Sequence, residues 1–243
     1  MITVGFKTDK GIKRRDNEDS LFVIPDKKIF IVADGVGGQN SGELASRMTV
    51  GYMAQFVCLN PIENAKTGAE LKSYFKKLFS GANSLVHAKA VSEPGNYGMA
   101  TTAVLCYIRD NTAYFVNVGD SRAYLIRDGK YYQITEDHSF VQTMIREGHL
   151  TKEEAEKRSD KNMITRAIGG EEEVHPDFFT LDLFQRDTII LCTDGLHGEV
   201  SDEDMAAMAS ASSAMHDLAT QLVDKANEAG GKDNISVVCI RIQ

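Results

Sequence analysis

The chain has 243 residues, of which 42% are hydrophobic and 26% charged, as in a soluble globular protein with a sizeable core. Its net charge of −8 argues against nucleic-acid binding, which depends on clustered lysine and arginine. No apolar run approaches the ~20 residues of a membrane helix, and the N-terminus lacks the basic-then-apolar order of a signal peptide. We therefore expect a cytoplasmic protein with no membrane partner.

The cysteines indicate a reducing compartment and exclude one class of enzyme. Cys58, Cys106, Cys192 and Cys239 are far apart, and the last three lie in apolar, strand-like runs. We expect buried thiols and no disulfides. No cysteine has an arginine six residues later, so the signature of a cysteine-based phosphatase is absent. The six histidines show no zinc-site spacing.

Apolar runs between turn residues predict strands, and apolar residues three or four apart predict helices. The predicted strands are 2–7, 20–24, 28–33, 101–108, 112–119, 122–127, 130–134, 177–183, 187–193 and 235–242. The predicted helices are one capped by Asn40-Ser41 and ending near 58, then 68–91, 138–147, 151–158, 202–209 and 213–229. The first two helices carry apolar stripes predicted to face the core: Leu44, Met48, Tyr52 and Phe56, then Leu71, Phe75, Leu78, Ala82 and Leu85.

The order of these elements favours an α+β fold. Strands arrive mostly as hairpins, without regular alternation of strand and helix, which favours antiparallel sheets with helices packed outside them. We expect a single domain over 1–243, with the charge-rich segment 138–172 as a small surface subdomain.

Carboxylates gather at one end of the first predicted hairpin. If 20–24 pairs with 28–33 through a short turn, residue 19 lies opposite residue 34. Glu18 and Asp19 then reach the same sheet edge as Asp34 and Gly35, which follow the buried strand 28–33. An Asp-Gly pair alone is a common turn signal.

Three later acids stand at strand ends as well. Asp120 follows the strand 112–119, Asp194 follows 187–193, and Asp233 precedes 235–242. If the last two strands are antiparallel neighbours, Asp194 and Asp233 share an edge. Carboxylates meeting at one edge repel one another by a few kcal/mol per close pair unless a cation lies between them.

An all-oxygen ligand set selects a hard cation, Mg²⁺ or Mn²⁺. The carbonyl of Gly35 is free to join the carboxylates, and two ions could share a bridging water and lower its pKa. Arg14 and Arg15 precede Asn17-Glu18-Asp19, where an arginine could grip a phosphate. Taken alone, both arginines would be solvated surface residues.

Eight motifs in order across nearly the whole chain resemble the metal-dependent protein phosphatases of type 2C, in particular the compact bacterial Ser/Thr phosphatases. The motifs are residues 11–19 (GIKRRDNED), 32–38 (VADGVGG), 98–102 (GMATT), 118–122 (VGDSR), 137–139 (DHS), 164–169 (ITRAIG), 192–196 (CTDGL) and 232–236 (KDNIS). The resemblance implies two antiparallel sheets packed as a sandwich with helices on both sides. It also implies that 138–172 is a mobile flap that shapes substrate access.

The resemblance further assigns roles to the acids. Asp34 would bridge two ions, Asp194 and Asp233 would complete one of them, and the Gly35 carbonyl the other. Glu18 and Asp19 would bind directly or through water, and Asp120 with Asp194 would hold a third, weaker ion. Arg14, three residues before Asn17, would bind the substrate phosphate.

The chain departs from the family at Val36. Eukaryotic members carry a histidine after the Asp-Gly, and that histidine is a proposed general acid. Valine cannot donate a proton, so leaving-group protonation must come from water or another residue. His138 and His197 are interpreted as ordinary core or surface histidines.

The leading hypothesis is a phosphatase that removes phosphate from phosphoserine and phosphothreonine in proteins through a binuclear Mg²⁺ or Mn²⁺ centre and a metal-bridging hydroxide. One rival is an aspartyl-phosphate hydrolase, which needs a second acid two residues after its nucleophile, where Val36 and Leu196 stand. Another rival is a non-catalytic module that binds phosphoproteins. Expected partners are phosphorylated proteins and a cognate Ser/Thr kinase, and a monomer is the default.

Overall fold

The computed structural model describes residues 1–37, 41–158 and 160–243. Within these residues the chain forms twelve strands and seven α-helices. The strands are β1 Ile2–Asp9, β2 Ser20–Ile24, β3 Ile29–Ala33, β4 Gly35–Val36, β5 Ala100–Thr101, β6 Ala103–Arg109, β7 Thr112–Val118, β8 Arg122–Arg127, β9 Lys130–Gln133, β10 Asp177–Asp182, β11 Thr188–Cys192 and β12 Ile235–Ile242. The helices are α1 Ser41–Leu59, α2 Gly68–Ser92, α3 Phe140–Arg146, α4 Lys152–Glu156, α5 Asp194–His197, α6 Asp202–Ala211 and α7 Met215–Glu228.

Ten of these strands form two antiparallel five-stranded sheets. One sheet has the order β1-β12-β11-β8-β9, and the other has the order β10-β7-β6-β3-β2. β4 and β5 form a separate two-stranded pair. In the first sheet β1 runs along the whole of β12, from Ile2 opposite Ile242 to Asp9 opposite Ile235.

Three apolar clusters hold the layers together. The cluster between the sheets takes alternate side chains from both, including Phe30, Phe115 and Ile240. A second cluster joins α1 and α2 to the outer face of the β6–β3 sheet, and a third joins α6 and α7 to the outer face of the other sheet. The α+β sandwich with helices on both sides is therefore confirmed.

The buried faces of the first two helices differ from the predicted stripes. In α1 the residues at 44, 48, 52 and 56 are half-buried at the margin of the core, while Ala45, Met53 and Val57 are fully buried. In α2 the stripe holds through Ala82, but Leu85 is 43% exposed and Val86 is buried instead. A seven-residue repeat lags a straight α-helix by about 20° per heptad, so the stripe drifts off the core along a long helix.

Three further predictions concern the cysteines, the start of α1 and membrane-spanning helices. Cys106, Cys192 and Cys239 are buried free thiols, as predicted, whereas Cys58 is an exposed one. Ser41 begins α1, but its predicted capping partner Asn40 lies outside the described residues, as does Gly38 of the second motif. In the part of the chain that the structure describes, no helix is long and apolar enough to cross a membrane.

Residues 138–172, called the 138–172 segment below, lie between β9 and β10 and contain the two short helices α3 and α4. Ser139 and Ile164 form an isolated antiparallel bridge near the two ends of the segment. Ile168 forms a second bridge with Thr101 of β5. The segment thus joins the body next to the short strands that follow β3 and precede β6.

Candidate metal centre

Asp34 stands where β3 leaves the sheet. The β2–β3 register places Ser20 opposite Ala33, which continues to residues 19 and 34 as predicted. The Asp34 main chain is held on both sides: its N–H donates to Thr102 Oγ1 (2.9 Å), and its carbonyl accepts from Thr101 Oγ1 (2.6 Å) and the Thr102 N–H (2.8 Å). These bonds fix the point from which the carboxylate projects.

Gly35 lies in a crowded position beside Asp34. A Cβ on this residue would overlap the Gly42 carbonyl and lie 2.5 Å from the Glu18 carbonyl oxygen. Only glycine lets α1 and the Glu18 loop approach the β3–β4 junction this closely. The Glu18 carbonyl is itself held by Ser46 Oγ of α1 (2.6 Å).

Asp194 and Asp233 come from adjacent strands, as expected. β11 pairs antiparallel with β12, so the residues after Cys192 face those before Ile235. A Cβ on Gly195 would overlap the Asn234 carbonyl, so the two loops are in direct contact. Thr193 Oγ1 donates to Asp19 Oδ2 (2.9 Å), which ties this loop to the acidic motif near the N-terminus.

Asn234 positions the loop that carries Arg14 and Glu18. Its Nδ2 donates to the carbonyls of Lys10 and Asp16 (both 2.9 Å), and its Oδ1 accepts from the Glu18 N–H (2.8 Å). The side chain is 5% exposed. In the sequence Asn234 stands out only as part of a motif, because a bridge between loops far apart in the chain has no local signal.

Arg14 forms an ion pair across this loop. Its Nη2 lies 2.6 Å from Asp233 Oδ2, and half of the side chain remains exposed. Burial lowers the pKa of Arg14, but the hydrogen bond and the charge of Asp233 outweigh it and raise the pKa overall. Arg15, by contrast, is 95% exposed and reaches only Asp16, at 4.0 Å.

Two histidines, both interpreted in the sequence as ordinary core or surface residues, contact the turn that carries Asp120. Gly119 donates its N–H to His138 Nδ1 (3.0 Å), and His197 Nε2 donates to the Asp120 carbonyl (3.1 Å). His138 is buried, which makes it a core residue, one of the two alternatives left open by the sequence. Both histidines therefore act on the turn that presents Asp120, a role hidden in the sequence because their partners are 19 and 77 residues away.

The carboxylates share one electrostatic environment. Burial raises the pKa of Asp34 well above its ordinary value, and the charges of Asp19, Asp194, Asp120 and Asp233 raise it further. Burial, with neighbouring acids, also raises the pKa of Asp19 and of Asp120 to about 7 each. The pKa of Asp194 is also raised, chiefly by burial and next by the charge of Asp233.

Glu18 belongs to the edge of this group. Burial raises its pKa, while the positive charge of Arg14 acts in the opposite direction. Electrostatic effects thus link Glu18 to Arg14 and Asp233, and they link Asp34 to the other four aspartates, so the structure brings together the acids singled out in the sequence.

The donor set fits a hard divalent cation. Oδ1 of Asp19 and Oδ1 of Asp194 are buried and accept no hydrogen bond from the described residues. A buried carboxylate oxygen without a partner is costly, and a cation would satisfy it.

The packing of the side chains is looser than that of a closed ligand cage. Across residues 1–37, 41–158 and 160–243, no three His, Cys, Asp or Glu side chains converge closely enough to hold an ion between them. In this arrangement of the side chains an ion would also draw on carbonyl and water oxygens, which Mg²⁺ and Mn²⁺ accept.

Comparison with known proteins decides the family. The family described as "Protein phosphatase 2C" matches residues 23–235. The chain belongs to the protein phosphatase 2C family. The serine/threonine phosphatase stp of Listeria welshimeri is 35% identical over 238 residues, which cover 97% of this chain and 94% of that protein.

Solved structures of protein phosphatase 2C enzymes have the same fold. The serine/threonine phosphatase of S. agalactiae superposes with a TM-score of 0.92 at 30% identity, with 100% of both chains covered. The catalytic domain of the phosphatase PstP in complex with two manganese ions gives 0.86 at 32% identity, covering 100% of this chain and 99% of that one. The family, the fold and the assignment as a phosphatase are thus confirmed.

Proposed function

We propose that this protein phosphatase 2C hydrolyses phosphoserine and phosphothreonine in proteins at a binuclear Mg²⁺ or Mn²⁺ centre. The observation that carries the proposal is the group of acids at one end of the sandwich, buried at Asp19 and Asp120 and half-buried at Asp34 and Asp194, whose pKa values are raised by burial and by one another. Such a group is stable at neutral pH when cations offset its charge. Two ions bound there would supply a bridging hydroxide to attack phosphorus, together with positive charge beside the phosphoryl oxygens.

The acids would divide the coordination between them. We infer that Asp34 bridges the two ions, that Asp194 and Asp233 complete one of them, and that the Gly35 carbonyl completes the other. Glu18 and Asp19 would act directly or through water. Thr193 supports this arrangement, because its hydroxyl holds Asp19 Oδ2 and leaves the orphaned Oδ1 for a cation or its water. Asp120 with Asp194 would hold a third, weaker ion.

Arg14 would bind the substrate phosphate. Its guanidinium uses Nη2 on Asp233 and is half exposed, so its other donors face solvent beside the acids. A guanidinium in this position can donate paired hydrogen bonds to phosphoryl oxygens while remaining anchored to the site. Val36 is 40% exposed and offers no proton, so we infer that the leaving group takes its proton from water.

The substrates would be phosphorylated proteins, and the phosphate would be supplied to them by a Ser/Thr kinase. The aspartyl-phosphate hydrolase gains no support, because the residue two positions after Asp34 is Val36 and the residue two positions after Asp194 is Leu196, a fully buried core residue.

The test is a comparison of Asp34→Asn with Asp26→Asn. Asp26 is an exposed residue at the opposite end of the β2–β3 hairpin, so the control removes the same charge away from the site. We expect Asp34→Asn to lower Mn²⁺-dependent turnover of a phosphothreonine peptide by at least ~10³, the scale of losing a principal electrostatic contribution, and Asp26→Asn to leave it unchanged.

Three results would contradict the proposal. Wild-type turnover that persists in excess chelator would remove the metal centre, and a covalent phospho-aspartate trapped on the protein would favour an aspartyl-phosphate hydrolase. Binding of Mn²⁺ and of phosphopeptide without any turnover would indicate that the protein is a non-catalytic phosphoprotein-binding module.

A further inference from the structure

The 138–172 segment begins with a histidine that is tied to the turn before Asp120. The Gly119 N–H donates to His138 Nδ1 (3.0 Å), and the His138 N–H donates back to the Gly119 carbonyl (3.0 Å). The His138 residue is 7% exposed, so water does not readily replace these bonds.

The hydrogen bonds assign the proton on the His138 ring. Because Nδ1 accepts from Gly119, the neutral ring carries its proton on Nε2, which donates to Asp177 Oδ2 at the start of β10 (3.1 Å). Arg166 Nη1 lies 3.0 Å from the same Nε2, and since both nitrogens are then donors, Asp177 accepts from both of them. Burial lowers the pKa of His138, with the charge of Arg166 acting in the same direction and Asp177 opposing. A neutral ring is the form that an Nδ1 acceptor requires.

The other end of the segment meets the same carboxylate. Arg166 Nη1 donates to Asp177 Oδ1 (3.0 Å) and to the His175 carbonyl (2.7 Å). The Thr165 N–H donates to the His138 carbonyl (2.7 Å). The beginning and the end of the segment are therefore joined to each other and to Asp177.

The turn at Gly119, which is hydrogen-bonded to His138, depends on hydrogen bonds from residues outside it. Gly119 has φ +104°, a conformation that L side chains rarely adopt, and a Cβ there would lie 2.5 Å from Thr102 Cγ2. Glycine confers no conformational preference of its own, so its hydrogen-bond partners decide how the following peptide is oriented. Besides His138, the Asn117 side chain donates to the Gly119 carbonyl (3.1 Å).

We propose that His138 is a positioning residue that transmits the arrangement of the 138–172 segment, through Asp177 and Arg166, to the Gly119 peptide and hence to the Asp120 carboxylate. One ring nitrogen contacts the turn and the other contacts the carboxylate that the segment shares. The effect on cation binding rests on the proposed role of Asp120, whereas the mechanical link does not.

Two conservative substitutions of His138 remove its two contacts one at a time: the contact with Gly119 and the contact with Asp177. In His138→Asn the amide oxygen can stand in for Nδ1 and accept from Gly119, but the side chain is too short to reach Asp177. In His138→Gln the amide nitrogen can stand in for the Nε2 donor to Asp177, but no acceptor faces Gly119. If His138 only filled space in the core, these two variants would affect the Gly119 amide alike.

The experiment is a double-mutant cycle read at the Gly119 amide. Hydrogen exchange is measured by NMR in the metal-free protein for wild type, His138→Asn, Asp177→Asn and the double variant. Asp182→Asn is the matched control, because it removes a carboxylate at the other end of the same strand, β10. His138→Gln reports the loss of the Gly119 arm alone.

We expect Asp177→Asn to speed exchange of the Gly119 amide by about five- to tenfold, the factor for losing one net hydrogen bond. In the His138→Asn background the same substitution should add nothing, and Asp182→Asn should have no effect. His138→Gln should by itself give about the fivefold to tenfold increase. An Asp177→Asn effect that is absent, or equal in both backgrounds, overturns the link.

Calorimetric titration with Mn²⁺ of the same four proteins tests whether the link affects cation binding at Asp120. Asp177→Asn should weaken the weakest Mn²⁺ site in the wild-type background and leave it unchanged in the His138→Asn background. A protein that binds no Mn²⁺ but shows the exchange cycle would refute the proposed function and leave the link standing. Mn²⁺-dependent turnover with a flat exchange cycle would refute the link alone.

Discussion

Asn234 shows how one amide side chain sets the geometry of the proposed site. It satisfies two carbonyls of the 10–18 loop and the N–H of Glu18, so the position of this loop follows from that of β12. Gly231 adds a second support, because its carbonyl accepts the N–H groups of Ile12 and Lys13 (2.8 and 3.0 Å).

Replacing Asn234 with alanine should therefore affect stability and catalysis together. Three polar groups would lose their partners in a buried place, at about 1–3 kcal/mol each, so we expect a loss of at least ~3 kcal/mol in the free energy of unfolding. Urea denaturation measures this, with exposed Asn64→Ala as the control. A change below ~1 kcal/mol would mean that water replaces the amide freely.

Arg14 and Arg15 form a natural pair for testing phosphate binding. Arg14→Ala should raise KM for a phosphopeptide by about tenfold or more, because it removes a charged hydrogen bond to substrate, and it should change kcat less. Arg15→Ala should change neither, because that side chain lies almost wholly in solvent. An unchanged KM in the Arg14 variant would remove Arg14 from the phosphate site.

At the scale of elements, the long helix α2 shows that residues at the same helical spacing can differ in burial. Leu78 and Leu85 are seven residues apart in the predicted stripe, yet Leu78 is fully buried and Leu85 is 43% exposed. We expect Leu78→Ala to cost about 2–5 kcal/mol of unfolding free energy and Leu85→Ala less than ~0.5 kcal/mol. Equal losses in thermal or urea unfolding would contradict the observed face of the helix.

The strands were more predictable than the helix faces. A run such as Ile29–Ala33 is apolar on both sides because each of its faces is covered, one by the other sheet and one by helices, so its identity as a strand is plain in the sequence. The short pair formed by β4 and β5 was not predicted. Two residues carry too little pattern, and their pairing is set by the Asp34 turn.

The acids of the candidate site were predictable and their supports were not. Strand ends and hairpin register bring Asp34 and Asp19 together, and both can be read from the chain. Asn234, His138 and His197 act through hydrogen bonds to main-chain groups of residues distant in sequence. Such bonds follow from the tertiary structure and leave no periodic signal.

At the scale of the whole molecule, the group of acids opposes folding when cations are absent. Asp19 and Asp120 have folded pKa values of about 7, above the value of 3.8 for a free carboxyl group. The unfolded chain thus releases these protons at lower pH than the folded protein does. Stability is retained below about pH 4 and lost as the pH rises to about 7, by up to about 4 kcal/mol for each group.

We therefore expect the unfolding free energy of the metal-free protein to fall between about pH 4 and pH 7. Mn²⁺ should raise the melting temperature more at pH 8 than at pH 5, because protons compete for the same oxygens at the lower pH. Thermal unfolding with and without Mn²⁺ measures both effects. Asp19→Asn should flatten the pH dependence, and a wild-type profile that is already flat would contradict the electrostatic grouping.

The antiparallel pairing of β1 with β12 has a practical consequence for linking this protein to others. The Asp9 end of the pair lies beside the acids, and the Ile2 end, where the Gln243 N–H donates to the Met1 carbonyl (2.8 Å), lies seven residues away along β1, about 23 Å at the rise of a strand. A fluorescent reporter or affinity handle attached beside Ile2 or Ile242 would therefore leave from the end of the pair opposite the acids. A circular permutant of residues 1–243 that joins residue 243 to residue 1 through a short linker and opens at an exposed turn such as 128–129 would keep both sheets intact.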